Sequence, residues 1–576
     1  MNINNILFRI FAATALFWAV ACEKPEMNSG AGDNPGQTET YSEINGTTIN
    51  EKSTVIGLIS DTSTGKGIPG VVVSDGYSVV KTDNNGVYQF AGNRNALYVF
   101  FSCPAAYEIP LDDATHKPLF YKVGLIKNGV NRNDFKLTPL KINEENFTFI
   151  AVGDPQVSNA SQINRYKNET ISDIQTTISS NQSQGLYKNA YAITLGDLVN
   201  DTPDQWDGIV KTMHNVSLGN GTYLPFFQTI GNHDHNAKTE TYEASIANFV
   251  NHYGPVDYSF NRGKVHVVVM DNVSLVSTDK SSWDYNAGFS KAQFNWLQKD
   301  LAAVDNKEDK MLILCCHIPF RSGGNNNTGS QMDADKYYKE TLQLMSEWNE
   351  AHIMIGHTHY PQNYIHTAYK TKNGLPVYEH IHGGACGGWW ACNLNVDGAP
   401  NGYSIYEVEG NHMKNWVAKS TNRAKDFQMR VYNGNQTYTG SKGYTYNWYS
   451  NSKGGSANIS YTGRSFLKNC FVVSLWNDDD TNWTVDFIYN GVATPMTRAG
   501  QKVTDAAVVS YFFNECGKNT TSWTKPLYHY WYIQAPDGLD PSEVVGWTIK
   551  ATQIIPGSNV KNEYTAGSLQ TDYRGF

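Results

Sequence analysis

Residues able to bind metal or move a proton cluster at five places in this chain, each just after a short apolar run. Phe149-Ile150-Ala151-Val152-Gly153 gives way to Asp154-Pro155-Gln156, and Ile193-Thr194-Leu195-Gly196 gives way to Asp197. Gln228-Thr229-Ile230-Gly231 leads to Asn232-His233-Asp234, Leu314-Cys315-Cys316 to His317, and Ile353-Met354-Ile355-Gly356 to His357-Thr358-His359. Carboxylate, amide oxygen and imidazole in this mixture can hold two divalent cations about 3.5–4 Å apart, with one carboxylate bridging. Such a pair suits phosphoryl transfer: it neutralises phosphate oxygens and makes hydroxide from a shared water.

The elements that must position these side chains are legible in the periodicity. From about Asn146 to Glu409, apolar runs recur at Phe147–Val152, Tyr191–Leu195, Phe226–Ile230, Val265–Met270, Met311–Cys316 and Ile353–Ile355. Between them lie helical patterns, with Ile171, Ile174 and Ile178 on one face, then Phe294, Leu297 and Leu301, then Tyr338, Leu342 and Met345. Buried strands alternating with amphipathic helices make an α/β domain. In such sheets ligands collect beyond the carboxyl ends of strands, so the five endings can converge on one point.

In this order the motifs resemble the signature of the calcineurin-like metallophosphoesterases: Asp-x-(His), Gly-Asp, Gly-Asn-His-Asp, a lone His after a strand, and Gly-His-x-His. Each is weak alone; the ordered set, each member at a strand end, is specific. The resemblance implies an α/β sandwich of two β-sheets flanked by helices, with an N-terminal β-sandwich and a C-terminal β-rich domain. It implies metal-dependent hydrolysis of a phosphomonoester or phosphodiester by a metal-bridged hydroxide. Asp154 and His359 would hold the first metal, Asp197 would bridge, and Asn232, His317 and His357 would hold the second. His233 would give a proton to the leaving oxygen, with Asp234 accepting its other ring proton. Where the family usually has histidine this chain has Gln156, a harder and uncharged donor. The first site should then be labile and lean toward Mn²⁺ or Mg²⁺, with Fe and Zn left open. Alternatively Gln156 leaves the metal untouched.

Other residues have two readings. Arg321 could clamp a substrate phosphate or lie on the surface. Trp389 and Trp390, in Gly383-Gly384-Ala385-Cys386-Gly387-Gly388-Trp389-Trp390, could wall the substrate pocket or only pack. The polar loop Gly323–Ser330 could form a lid. His352, His366, His380, His382 and His412 lie off the motifs and read as ordinary polar or core residues.

The flanks differ in texture. Residues 51–140 alternate β-branched and aromatic residues with Asn-Gly and Asp-Gly turns, and resemble a carboxypeptidase regulatory-like β-sandwich. Residues 410–576 are rich in Tyr and Trp and read as a separate β-rich domain. Ile6–Ala21 is apolar but too short for a comfortable membrane span and ends in Ala19-Val20-Ala21-Cys22, which resembles a lipobox. Residues 1–22 are therefore expected to be a lipoprotein signal ending in a lipidated Cys22, and 23–50 a flexible tether. These features predict an extracytoplasmic enzyme held to the bacterial envelope by lipid alone. A Cys386–Cys392 bridge is open there, while Cys315 and Cys316 read as core. A net charge of −9 with no basic block argues against a nucleic-acid partner. The competing expectation is a surface glycan- or protein-binding lipoprotein with a degenerate metal site, for which Gln156 is the only support.

Overall fold

The computed structural model describes residues 41–571, except 143, 183–188, 220, 237, 276–284, 322–331, 333, 451–452, 455–458, 461–462 and 524. Cys22, the signal and most of the tether lie outside the described residues, as does the loop Gly323–Ser330.

The last ten residues assigned to the tether are folded. Glu43–Ile44 pairs with Thr47–Thr48 across Asn45-Gly46, both at positive φ (45° and 82°). That is the left-handed geometry a two-residue hairpin demands and that Asn-Gly supplies cheaply. Ile44 and Ile49 are buried against Ile56 and Val87. A reading by polar composition missed this because only three apolar side chains, Tyr41, Ile44 and Ile49, anchor the segment.

The N-terminal sandwich follows. Val55–Asp61 pairs with Val87–Phe90 and Phe135–Leu137 in one sheet, and Val72–Ser74, Val79–Lys81, Tyr98–Phe101 and Tyr121–Val123 form the other. It shares a core with the central domain: Trp296 Nε1 donates to Ser74 Oγ at 3.0 Å, and its ring meets Phe100 edge-on.

The central strands are β1 (Asn146–Val152), β2 (Ala190–Leu195), β3 (Phe226–Thr229), β4 (Tyr258–Arg262), β5 (Val265–Val269), β6 (Met311–Cys315), β7 (Glu350–Ile355), β8 (Gln362–Lys370), β9 (Pro376–Ile381), β10 (Gly402–Glu409) and β11 (His412–Ser420). They form two sheets, ordered β3-β2-β1-β10-β11 and β4-β5-β6-β7-β9-β8. β1, β2 and β3 run parallel, as do β5, β6, β7 and β9. Parallel strands sandwiched in a fold read as continuous apolar runs, which is why the sequence exposed them. Helices α1 (Ser172–Gln182), α2 (Lys291–Ala302) and α3 (Lys339–Met345) follow strands and bury Ile174 and Ile178, then Phe294, Leu297 and Leu301, then Leu342 and Met345.

The boundary expected at 409/410 falls in the turn of a hairpin. β11 pairs with β10 from Glu409↔His412 to Gly402↔Ser420 and forms the edge of the first sheet. As an edge strand with alternating burial, it carries too few consecutive apolar residues to be read as part of the α/β core. The described residues of the C-terminal domain then form two four-stranded sheets, two two-stranded hairpins and an apolar helix, α4 (Ala506–Asn514), capped by Asp505 accepting from the Val508 N–H. Among the described residues, no helix is long and apolar enough to cross a membrane.

Far from the β7 carboxyl end, Glu350 ties the two sheets together. It accepts from His352 Nε2 (2.7 Å) in its own strand and from the Met413 N–H (2.9 Å) of β11, with His412 Nδ1 as a further partner. Burial alone would raise its carboxyl pKa, but the bonds from His352 and His412 override it and hold the group at about 2, against 4.5 unperturbed. A carboxyl depressed in the folded state stabilises above its unfolded pKa, and that stability is lost as pH falls through the folded value. Glu350→Gln should therefore cost about 3 kcal/mol at neutral pH. The gap in thermal midpoint between wild type and variant should close between pH 4.5 and 2. A gap independent of pH across that window contradicts the assignment.

Candidate active site

The strand ends converge as the motif order implies. Asp154 follows β1, Asp197 follows β2 and Asn232 follows β3 in one sheet; His317 follows β6, and His357 and His359 follow β7 in the other. Five of these loops' residues sit in left-handed backbone: Asp154 (φ 43°), Gln156 (40°), Asp197 (49°), His357 (71°) and His359 (56°). Each such non-glycine residue costs on the order of 1–2 kcal/mol, which a fold retains only where surrounding contacts dictate it.

The glycines before the ligands have a steric reason. A Cβ on Gly196, itself at φ +89°, would lie 2.4 Å from His317 Nδ1. One on Gly231 would lie 2.2 Å from the Asp197 nitrogen, and one on Gly356 would lie 2.9 Å from Asp154 Oδ2. At Gly196 and Gly356 the two sheets approach so closely that only glycine fits between the ligand loops, and at Gly231 two neighbouring loops of one sheet do the same.

Two groups of donors result, Asp197 with His317 and His357, and Asp154 with Asp197 and His359, the ligand atoms of each group lying within 4.8 Å of one another. Asp197 belongs to both, as a bridging carboxylate must. Asn232 Oδ1 lies 3.0 Å from His317 Nε2 and 2.9 Å from His357 Nδ1, and those two ring nitrogens are 3.2 Å apart. His317 Nδ1 donates to the Leu195 carbonyl at 2.8 Å. The neutral ring therefore turns its Nε2 lone pair toward the amide oxygen, lone pair against lone pair. A cation between them resolves the conflict. Without one a proton takes its place: burial opposes a charge on His317, but Asp197 outweighs it and raises the ring to about 9. Burial, reinforced by His317, lowers His357 to about 3, and burial lowers His359 to about 4, keeping both rings neutral as ligands need. Asp154 is pushed up by burial, beyond what His317 offsets. These residues fit a pair of divalent cations.

Family models match along most of the chain. One described as calcineurin-like phosphoesterase covers residues 147–361. Models of the N-terminal and C-terminal parts of calcineurin-like phosphoesterase cover 53–140 and 379–554.

The chain belongs to the calcineurin-like phosphoesterases.

Its curated relatives include purple acid phosphatase 15 of Arabidopsis thaliana, 27% identical over 183 residues that make up 30% of each chain. Fe(3+)-Zn(2+) purple acid phosphatase 12 of the same plant is 26% identical over 235 residues, 36% of this chain and 45% of the relative. The chain thus spans less than half the length of these relatives. Among solved structures, a purple acid phosphatase from yellow lupin seeds aligns with TM-score 0.33 at 15% identity, over 61% of this chain and 66% of that one. A putative 5'-nucleotidase from Staphylococcus aureus aligns with TM-score 0.29 at 11% identity, over 73% and 89%.

Several expectations for this calcineurin-like phosphoesterase need correction. Asp234 does not orient His233. Its carboxylate accepts backbone N–H bonds from Leu198 (2.9 Å), Val199 (3.0 Å) and Gly231 (2.9 Å), tying the second ligand loop to the third. His233 Nδ1 instead donates to Asp201 Oδ2 at 2.9 Å, while the His233 N–H donates to Asp197 Oδ1. Sequence reasoning missed Asp201, although it stands four residues after Asp197 in the same loop. Nothing in its own residue type separates it from Asp204 or Asp207 nearby.

Arg321 is no phosphate clamp in this geometry. Its guanidinium stacks 4.0 Å above the Tyr338 ring and bonds the Phe320 and Met332 carbonyls. Trp389 and Trp390 divide their roles. Trp390 is buried, donates to the Pro155 carbonyl at 2.9 Å and is packing. Trp389 lines the first donor group, its ring 4.6 Å from His359 and its indole N–H bonded to Gln156 Oε1. The Gln156 oxygen thus already has a donor. The Cys386–Cys392 bridge that the sequence left open is not formed: Cys386 Sγ sits 3.6 Å from His359 Nδ1, and Cys392 faces Cys516. Cys315 and Cys316 are fully buried. The five off-motif histidines have partners in the protein, for instance His382 Nδ1 on the Ile355 carbonyl and His366 Nε2 on Glu379.

Proposed function

We propose that this protein hydrolyses phosphoesters, monoesters or diesters, outside the cytoplasm, using a two-metal site built on Asp154, Asp197, Asn232, His317, His357 and His359. The observation that carries the reading is the shared carboxylate of Asp197 between two donor groups, buried except for half-buried His357, with His233 beside it on the open side. The His233 side chain keeps 31% of its surface exposed, whereas those of His317 and Asp197 keep 0% and 2%. A substrate phosphate arriving at the donor groups therefore meets the His233 ring first.

When bound, the two cations would neutralise phosphate oxygens and acidify a water. The protein's own residues do the rest. Asp201 holds the His233 Nδ1–H, so the ring presents Nε2 to the ester and can protonate the departing oxygen. Asp234 fixes the loops that carry Asp197 and His233 by its three backbone bonds. The sheets exclude water from the far side of the ligands through β1, β2, β6 and β7, whose residues at the site end are buried. With Gln156 bonded by Trp389, Asp154, Asp197 and His359 are the residues that would hold the first cation. We assign Mn²⁺ or Mg²⁺ to the pair, the first bound more loosely than the second. The apolar run ending at Cys22 supports placement at the bacterial envelope through a lipid anchor.

The test is metal-dependent release of p-nitrophenol from p-nitrophenyl phosphate and from its bis ester. Turnover should appear on Mn²⁺ loading and disappear on chelation, and the preferred ester separates monoesterase from diesterase. Titration should show one tight and one weak equivalent. A folded protein that binds no Mn²⁺ and turns over neither ester overturns the proposal; two equally tight equivalents overturn the assignment of a loose first site.

A further inference from the structure

The loop between β9 and β10 touches the site through Trp389 and Cys386, and touches the C-terminal domain through Cys392. Around the position of a Cβ on Gly388, Cys392 Sγ (2.9 Å), Phe512 (3.2 Å) and Trp523 (3.6 Å) all close in. Trp389 packs edge-on against Trp523 with centroids 4.5 Å apart, and Trp523 meets Phe512 at 5.3 Å. Cys516 arrives at the same place because of how α4 ends. The Cys516 N–H reaches back to the Tyr511 carbonyl at 3.2 Å and that of Lys518 to the Phe512 carbonyl at 3.0 Å, with Gly517 between them at φ 69°. This wrapped helix end packs Cys516 against the apolar cluster that holds Phe512 and Cys392, with the two thiols close enough to interact.

We infer that Cys392 and Cys516 form a disulfide that clamps the tryptophan loop of the candidate site to the C-terminal domain. Five other cysteines have different surroundings. Cys103 and Cys470 point at backbone carbonyls, Cys386 at His359, and Cys315 and Cys316 are buried in and just beyond β6. The chemistry at 392/516 favours exchange. Cys516 is half-buried, so a reagent can reach the pair. The bond from the Cys516 thiol lowers the Cys392 thiol, and the Lys518 ammonium, 3.8 Å over the Trp523 ring, adds to this. Cys516 is correspondingly raised, so Cys392 is the sulfur that becomes thiolate. A small disulfide of the glutathione class supplies the oxidant. One cysteine thiolate attacks it, forming a mixed disulfide and expelling one small thiol; the second cysteine then attacks the protein sulfur and expels the other. Two protein thiols lose two protons and two electrons, and one small disulfide becomes two thiols.

The bond joins two domains through a stretch of more than a hundred residues, so it constrains the unfolded chain strongly. It also holds Trp389, and with it the Gln156 side chain, against the first donor group. The assignment does not depend on the phosphoesterase reading, because the bond is read by mass and the clamp by exchange. The full chain is incubated with oxidised glutathione, denatured in iodoacetamide, digested and mapped. The Cys392 and Cys516 peptides should appear joined, with the other described cysteines alkylated. After reduction, amide exchange across residues 383–401 should quicken at least about tenfold, and the unfolding midpoint should fall by roughly several degrees. Cys516→Ser, at a half-buried site that tolerates the change, should reproduce both effects and leave Cys392 alkylated. Separate alkylated Cys392 and Cys516 peptides after glutathione treatment overturn the bond. A joined pair whose reduction leaves exchange at 383–401 unchanged overturns the clamp.

Discussion

Asp197→Asn should lower kcat/KM for any phosphoester by about 10³-fold or more, and should lower bound metal with it. No other side chain belongs to both donor groups, so this single oxygen-for-nitrogen change weakens two sites at once. The neighbours make it worse. Asp197 Oδ1 accepts the His233 N–H at 2.9 Å and faces His317 Nε2 at 3.3 Å. Burial disfavours its negative charge, but His317 and His233 outweigh burial and hold its carboxyl well below the usual range. An amide there keeps the shape and loses the charge, so the fold should survive while the metals leave. Metal content by mass spectrometry and circular dichroism separate these effects. A variant that keeps both metals and more than a tenth of its activity would show that another group bridges.

His233→Ala should cost about 10²–10⁴-fold, and the size should depend on the leaving group. Against a p-nitrophenyl ester, whose leaving group departs readily without a proton, the loss should sit at the low end. Against an alkyl phosphate, whose alkoxide needs protonation, it should sit at the high end. Asp201→Asn should give an intermediate version, about 10–100-fold on the alkyl ester, because it keeps His233 but loosens the ring that its carboxylate holds at 2.9 Å. Equal losses on both esters would mean that His233 binds phosphate and does not move the proton. Asp234→Ala should behave differently from either. It strips acceptors from three buried backbone N–H groups, and unfolding should be easier whether or not substrate is present.

The order of ligands was legible without a structure because each sits where a parallel strand ends, and parallel strands announce themselves as unbroken apolar runs. The glycine before several of them was visible too, though not its reason: the distances from Gly196 to His317 and from Gly356 to Asp154 cross from one sheet to the other. The hairpin at Asn45-Gly46 was written in a dipeptide with known turn geometry, and only its polar surroundings hid it. β11 was hidden for a different reason. An edge strand alternates, and its pattern merges with that of the domain that follows.

The sequence by itself determined which residue types line the site, their order, the α/β core that carries them and the apolar run before Cys22. Only the tertiary structure decided who holds whom. Asp201 rather than Asp234 takes the His233 ring proton, Trp389 takes the Gln156 oxygen, Arg321 turns onto Tyr338, and Cys392 meets Cys516 across a domain boundary. Ligands at strand ends are placed by local backbone, whose periodicity leaves a record in neighbouring residues. Their supporting partners are chosen by distance between loops and domains far apart in sequence, and a side chain's type records no such distance.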